Sequence, residues 1–327
     1  MRPRVYPNGP VAFGYVNEGG GTRKTSSAVN TAVALAKQGK KVLLFDGDQT
    51  MQCSAYVGWG LSDRSPLFKT KEQLARIERV YTRLAKLPNI FDLLHGRLTL
   101  QEVMLPARTR IGEGDGEEAF AVIPNLYVVI GSRELEHASD DLARSSTADR
   151  NWMRRALSEL PPGTIDVVIV DFRGGYLAFE ESMLSALDFV IGVFRPDSKD
   201  VSTLGTMLAS LDKATRNFQF SGGAADLRYV LLNGVITNRG AYYIQKGNDL
   251  QEQYAPILLA TEKLVEEEVP GSKTTRKVKK KVFCVISESV RFAESVEAQE
   301  PIHYWDPNGQ GASEFDDVVA GIEPIWA

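Results

Sequence analysis

The sequence predicts an α/β protein built on a doubly wound, mostly parallel sheet. Three observations carry that expectation. Short runs that are apolar along their whole length alternate with amphipathic stretches of helical period. The runs lack the in–out alternation of half-exposed strands, as strands buried on both faces do. The first run also passes directly into a glycine-rich loop and a helix, the opening of a strand–helix–strand unit.

The elements follow in order. Val11–Val16 reads as the first strand. Thr25–Gln38 carries Ala28, Val29, Ala32, Val33, Leu35 and Ala36 on a helical stripe, and Gly39 ends it. Val42–Phe45 is a short apolar strand that runs into Asp46. Residues 70–87 place Leu74, Ile77, Tyr81 and Leu84 at helical spacing on a charged background, and 112–118 form an acidic, glycine-rich loop. Together they make a helix-and-loop excursion over 70–118. Further strands are expected at Leu126–Ile130, Ile165–Val170, Phe189–Phe194, Tyr229–Val235 and Val282–Ile286. Helices are expected at Trp152–Leu160, Ala178–Leu187, Ser202–Asp212, Tyr243–Tyr254 and Ala312–Ile322. Residues 261–281 read as a charged surface loop, first acidic (Glu262, Glu266, Glu267, Glu268) and then basic. No repeat and no linker divides the chain, so one domain over 1–327 is the simplest organisation.

Composition narrows the function. The 327 residues are 43% hydrophobic and 24% charged, which excludes a wholly disordered, collagen-like or coiled-coil protein. A net charge of −4 excludes a generally basic nucleic-acid binder and leaves only a local patch for that role. Cys53 and Cys284 are too few and too far apart for a disulfide framework or a zinc motif, and a reduced, cytoplasmic compartment fits them. The opening MRPRVYPNGPVAFGYVN has no apolar core of the signal-peptide kind, and no apolar run approaches the roughly 18 residues of a membrane span.

The densest chemistry lies in Asn17-Glu18-Gly19-Gly20-Gly21-Thr22-Arg23-Lys24-Thr25-Ser26. A strand precedes it and a helix follows, the context a phosphate-binding loop needs. Consecutive glycines let backbone amides converge on phosphate oxygens, and the helix N-terminus adds a positive dipole end. Lys24 would neutralise the β- and γ-phosphates, and the Thr25 hydroxyl would ligate Mg²⁺. The pattern G-x-x-x-x-G-K-[ST] is not met, because Glu18 and Arg23 stand at its two glycines. A glycine-rich turn that caps a helix without a ligand is the alternative. Asp46, Asp48 and Asp171 weigh against it. They sit at or just beyond the carboxyl ends of predicted strands, where open α/β sheets bind ligands. There they could hold hydrated Mg²⁺ or orient an attacking water.

With these residues in place, the chain resembles the ParA/MinD family of deviant Walker ATPases, which are P-loop NTPase-like in fold. The family loop reads K-G-G-x-G-K-[ST]. The corresponding stretch here is GGGTRKTSSAVNTAVALAKQGKKVLLFDGDQ. Ile90–Leu94 with Leu98–Val103, Asn125–Ile130, Asp166–Asp171, Val282–Ala293 and Pro301–Ala312 are similar to later family segments, so the resemblance covers about residues 11–322. It favours ParA-type, Soj-like partition proteins over MinD, since GIEPIWA is no basic amphipathic membrane helix. The resemblance implies that Gly19, Gly20, Gly21, Thr22, Lys24, Thr25 and Ser26 bind ATP, with Ile286 and Ser287 lining the adenine through backbone groups. It implies Mg²⁺ held by Thr25, Asp46 and Asp171, and a water positioned by Asp48. It further implies an ATP hydrolase, slow and stimulated by a ParB-like partner. Such a protein forms a nucleotide-dependent homodimer, or a filament, and binds DNA non-specifically on the nucleoid to segregate cargo.

Departures from the family pattern matter for turnover. The signature lysine falls at Gly19. Removing a comparable electrostatic stabiliser costs about 10²–10³ in rate. Arg23 replaces the last loop glycine and would either block the cradle or supply a substitute catalytic cation. The proline of D-x-D-P-Q is absent from Asp46-Gly47-Asp48-Gln49-Thr50, Arg173 stands in place of a proline after Asp171, and Ser287 replaces the proline near the adenine. Lys273, Arg276, Lys277, Lys279, Lys280 and Lys281 place six basic residues in nine positions, which Arg291 could extend into a DNA-binding patch. A solvated loop that balances Glu266–Glu268 is the alternative. Two other functions compete: a ParA-like scaffold or filament former that has lost turnover, and a metabolic transferase, for which no substrate constellation is visible.

Overall fold

A computed structural model describes residues 4–60, 71–112, 116–196, 198–236, 241–268 and 275–323. Strands β1 (Val11–Val16), β2 (Val42–Gly47), β3 (Met104–Arg110), β4 (Phe120–Val129), β5 (Val167–Phe172), β6 (Phe189–Phe194), β7 (Asp226–Val235) and β10 (Val285–Ser287) form one sheet in the order β10-β7-β6-β1-β5-β2-β4-β3. Every pairing is parallel except β3 with β4. All six residues of β1, β2, β5 and β6 are buried, which is why their sequences are apolar without alternation.

Successive side chains of β1 feed opposite layers. Phe13 and Tyr15 pack with helix α1 (Lys24–Lys37), with Phe292 of α8 (Val290–Ala298) and with Phe315 of α9 (Gln310–Ile322). Ala12 and Val16 join the other layer, with Leu135 of α3 (Leu135–Arg144), Trp152 of α4 (Trp152–Ser158), Phe179 of α5 (Ala178–Ser185) and Met207 of α6 (Ser198–Asn217). Helices on both faces complete the doubly wound α/β architecture. Strand β1 sits where the chain moves to β5 and β2 on one side and to β6 and β7 on the other. Its carboxyl end therefore opens into the crevice such sheets use for ligands.

Several expectations need correction. Helix α2 spans Lys71–Leu84, shorter than 70–87, and residues 113–115 of the acidic loop lie outside the described residues. Strand β3 lies where the sequence predicts none. It is an antiparallel edge strand that carries Pro106, Arg108 and Arg110, a composition that fits an edge and hides a strand. Strand β4 begins at Phe120, six residues before the predicted start, and passes through Asn125 at φ 62°. The charged loop of 261–281 is an antiparallel ribbon of β8 (Ala260–Glu268) and β9 (Thr275–Phe283), separate from the main sheet. In it Glu262 stands opposite Lys281 and Glu266 opposite Lys277. Opposite charges across the strands stabilise a pairing that the sequence shows only as a change of sign. The strand predicted at Val282–Ile286 is divided between the end of β9 and β10, and α7 spans Ala241–Tyr254. Among the described residues no helix is long and apolar enough to cross a membrane.

Candidate functional site

Strand β1 delivers the chain to Asn17, which fastens the loop. Its Nδ2 donates to the Val193 carbonyl at 2.7 Å, and its Oδ1 accepts from the Gly19 amide at 2.7 Å. Gly20 and Gly21 are exposed, and a Cβ placed on either would meet nothing within 4 Å. Phosphate can therefore approach this backbone closely. Lys24 is buried and folds over the loop, donating to the Gly19 carbonyl at 2.9 Å and to the Thr22 hydroxyl at 3.5 Å. Thr25 and Ser26 are half-buried in the first turn of α1, which no side chain caps. Its amides are left for an anion, and the helix dipole favours one.

Arg23 is the helix cap, at φ 68° and ψ 28°. The left-handed conformation costs a non-glycine residue roughly 1–2 kcal/mol, which explains why a glycine is usual here. Its guanidinium does not lie over the glycines. Nη2 donates to Glu288 at 2.5 Å, beyond the end of β10. Arg173, the other candidate cation, is bound to buried Glu180 and to the Ser139 hydroxyl. Neither arginine lies loose beside the phosphate loop.

The carboxylates converge beside the loop. Asp46 and Asp171 are register partners on β2 and β5, and both are fully buried. Asp46 is well supplied with donors. Oδ2 accepts from the Ser54 amide at 2.8 Å and the Ser54 hydroxyl at 2.6 Å, and Oδ1 accepts from the Asp48 amide at 3.2 Å. Burial still pushes its carboxyl up to about 7 against those hydrogen bonds. Both oxygens of Asp171 are buried without a hydrogen-bond partner. Burial first, and Asp46 second, hold its carboxyl well above the usual range, while Thr25 and Lys24 pull it the other way. Asp48 is half-exposed, and its Oδ1 accepts from the Thr50 amide at 2.8 Å.

Ser54 carries a role that the sequence did not reveal. Besides donating to Asp46, its hydroxyl accepts from the Gly131 amide at 3.1 Å. It thus pins Asp46 to the end of β4. Gly131 is required there, because a Cβ would lie 2.8 Å from the Asp48 carbonyl and 3.0 Å from the Asp46 carboxyl carbon. Asn233 on β7 is also new: Nδ2 donates to Ser27 at 3.0 Å, and buried Oδ1 has no partner. At the expected adenine wall, Ile286 is buried. Ser287 is spent on α9, its amide donating to Glu314 at 2.9 Å and its hydroxyl at 2.6 Å. A Ser287 backbone donor for adenine is therefore not free.

The residues fit a nucleotide-bound Mg²⁺ better than an all-protein metal cage. Among the described residues no three His, Cys, Asp or Glu side chains gather as one. Two carboxylates and the Thr25 hydroxyl next to a phosphate cradle suit a cation that keeps most of its water. The unpartnered oxygens of Asp171 are the strongest sign, since a buried carboxylate without donors is costly unless something cationic joins it.

The expected DNA patch is spread over the ribbon. Lys277, Lys279, Lys280 and Lys281 are exposed on β9, with Lys279 3.7 Å from Glu262. Arg276 belongs to the same strand, and Lys273 lies outside the described residues. Arg291 pairs with Glu294 at 3.1 Å.

Comparison with known proteins identifies a nucleotide-binding family and its fold. A model of the CobQ/CobB/MinD/ParA nucleotide binding domain matches residues 14–302. No curated protein matches the chain. Among solved structures, an ATP complex of a variant of Cyanothece McdA is 13% identical with a TM-score of 0.63, covering 97% of this chain and 96% of that one. The septum site-determining protein MinD of Pyrococcus horikoshii, complexed with Mg-ADP, is 20% identical with a TM-score of 0.62, covering 97% of each. A plasmid partition protein of Borrelia burgdorferi is 15% identical with a TM-score of 0.57, covering 97% and 99%. The shared fold is that of the P-loop NTPases.

Proposed function

The chain belongs to the CobQ/CobB/MinD/ParA nucleotide-binding family, and we propose that it is a ParA-like switch that binds Mg·ATP and hydrolyses it slowly. Lys24, the amides of Gly20 and Gly21 and the first turn of α1 bind the phosphates. Thr25, Asp46 and Asp171 hold the cation, which supplies positive charge against the phosphate oxygens. Ser54 keeps Asp46 turned toward it. Asp48 orients the attacking water. The nucleotide-bound form is a homodimer, or a filament, that binds DNA non-specifically and moves or positions cargo on the nucleoid of the cytoplasm. A ParB-like partner stimulates turnover. The chain acts as one domain in this cycle.

The observation that carries the reading is the buried, unpartnered Asp171 in register with Asp46 and next to the cradle. A second reading, a nucleotide-binding scaffold without turnover, is favoured by the cations. Gly19 offers no side chain, Arg23 is held by Glu288 and Arg173 by Glu180. The test begins with equilibrium binding of a fluorescent ATP analogue with and without Mg²⁺. Mg²⁺-dependent binding that Lys24→Ala loses supports the site, and equal binding by that variant overturns it. Phosphate release above the Lys24→Ala and Asp48→Ala controls then separates the slow ATPase from the scaffold.

A further inference from the structure

We propose that the Arg23 side chain binds the nucleoside end of the nucleotide, held there by Glu288, and that its guanidinium takes no part in phosphate recognition. The inference rests on the nucleotide-binding reading above and extends it to a residue that the family pattern does not supply. Sheet order sets the argument. The carboxylates for the cation lie on β2 and β5, to one side of β1. A cation held by those carboxylates would keep the phosphate tail on that side. Strands β7 and β10 lie on the other side of β1, beyond β6.

The Arg23 guanidinium crosses to this second side. Nη2 meets Glu288 at 2.5 Å, and the Glu288 amide donates to the Val235 carbonyl at 2.8 Å, which fixes the acid at the end of β7. Gly234 lies beneath the crossing. It has φ +86°, and a Cβ on it would stand 3.0 Å from Glu288 Oε2 and 3.6 Å from Arg23 Cζ. Arg23 Nη1 is buried and has no hydrogen-bond partner. One nitrogen of the fork is thus committed to Glu288, and another is a desolvated donor without an acceptor. A base or ribose acceptor satisfies it. The strained backbone of Arg23 aims the side chain away from the phosphate tail.

Calorimetric titration with Mg·ADP and with Mg²⁺ plus a non-hydrolysable ATP analogue tests this. Native protein, Arg23→Gly, Glu288→Gln and Lys24→Ala are compared. Glycine accepts the left-handed conformation freely, so Arg23→Gly retains the fold. Loss of a charged hydrogen bond should weaken both nucleotides by about tenfold, and by the same factor. Glu288→Gln should weaken both by a smaller, equal factor. A tenfold fall for the ATP analogue with ADP retained would make Arg23 a phosphate cation and overturn the inference. Unchanged or tighter binding of both nucleotides by Arg23→Gly overturns it too. Absence of binding by the native chain overturns the nucleotide reading itself, a result seen without any variant of Arg23.

Discussion

Asp46 and Asp171 stand opposite each other in the parallel pairing of β2 with β5, and they are unequally satisfied. Asp46 accepts three hydrogen bonds, whereas Asp171 accepts none. Two buried carboxylates side by side resist joint ionisation. The pair is therefore an unfavourable juxtaposition that a cation would relieve.

Asp171→Asn should reveal that stored cost. It replaces an acid whose ionisation burial and Asp46 both oppose with an amide of the same shape that carries no charge. Urea unfolding without nucleotide should show stability raised by about 1–3 kcal/mol. The same variant should lose Mg²⁺-dependent nucleotide binding. A less stable variant would mean that Asp171 is already well compensated when no nucleotide is bound.

Ser54→Ala should act in the opposite direction. It removes a 2.6 Å donor to Asp46 and leaves the Gly131 amide without its acceptor. Buried groups deprived of partners cost about 1–3 kcal/mol, read as a lower urea midpoint at unchanged slope. Nucleotide binding with Mg²⁺ should weaken more than binding in EDTA, since only the former depends on a fixed Asp46. Equal weakening would reduce Ser54 to a packing role.

Legibility in the sequence followed burial. The strands that hold Asp46 and Asp171 are apolar on both faces, so their type could be read directly, although each runs two residues further than expected, to Gly47 and to Phe172. The β8–β9 ribbon escaped because its pairing rests on charge across two strands, with Val265 opposite Val278 as the apolar pair at its middle. Strand β3 escaped because an edge strand with Pro106 and two arginines lacks the buried pattern. In the site, the missing glycine at Arg23 was visible, but its direction was not, since Glu288 is 265 residues away. Ser54 escaped because its role, a donor to Asp46 that also accepts from the Gly131 amide, joins residues far apart in the chain and matches no motif.

The ribbon makes DNA binding testable in a way that separates it from the nucleotide site. Exposed cross-strand ion pairs are weak, about 0–1 kcal/mol, so lysines on β9 can exchange glutamate for phosphate. Replacing Lys277, Lys279 and Lys281 together with alanine should lower the slope of log affinity against log salt by about 0.9 for each phosphate no longer neutralised. ATP binding should be unaffected. An unchanged slope in fluorescence anisotropy would place the DNA-binding surface away from the ribbon.

His303 should make folding sensitive to mild acid. It is 5% exposed in the turn Ile302–Trp305, with Nε2 3.0 Å from Asp316 and its carbonyl accepting from Lys37 at 3.3 Å. Burial lowers its pKa, Asp316 opposes that shift and Lys37 reinforces it. The unfolded chain therefore binds this proton more readily than the folded one. Stability is full above the unfolded value of about 6.5 and falls as pH drops from there through the lower folded value. Urea midpoints measured at about pH 7.5 and about pH 5.5 should differ more for the native chain than for His303→Gln, whose amide can keep the Asp316 hydrogen bond without titrating. Equal differences would mean that His303 takes up its proton as easily folded as unfolded, with Asp316 offsetting the cost of burial.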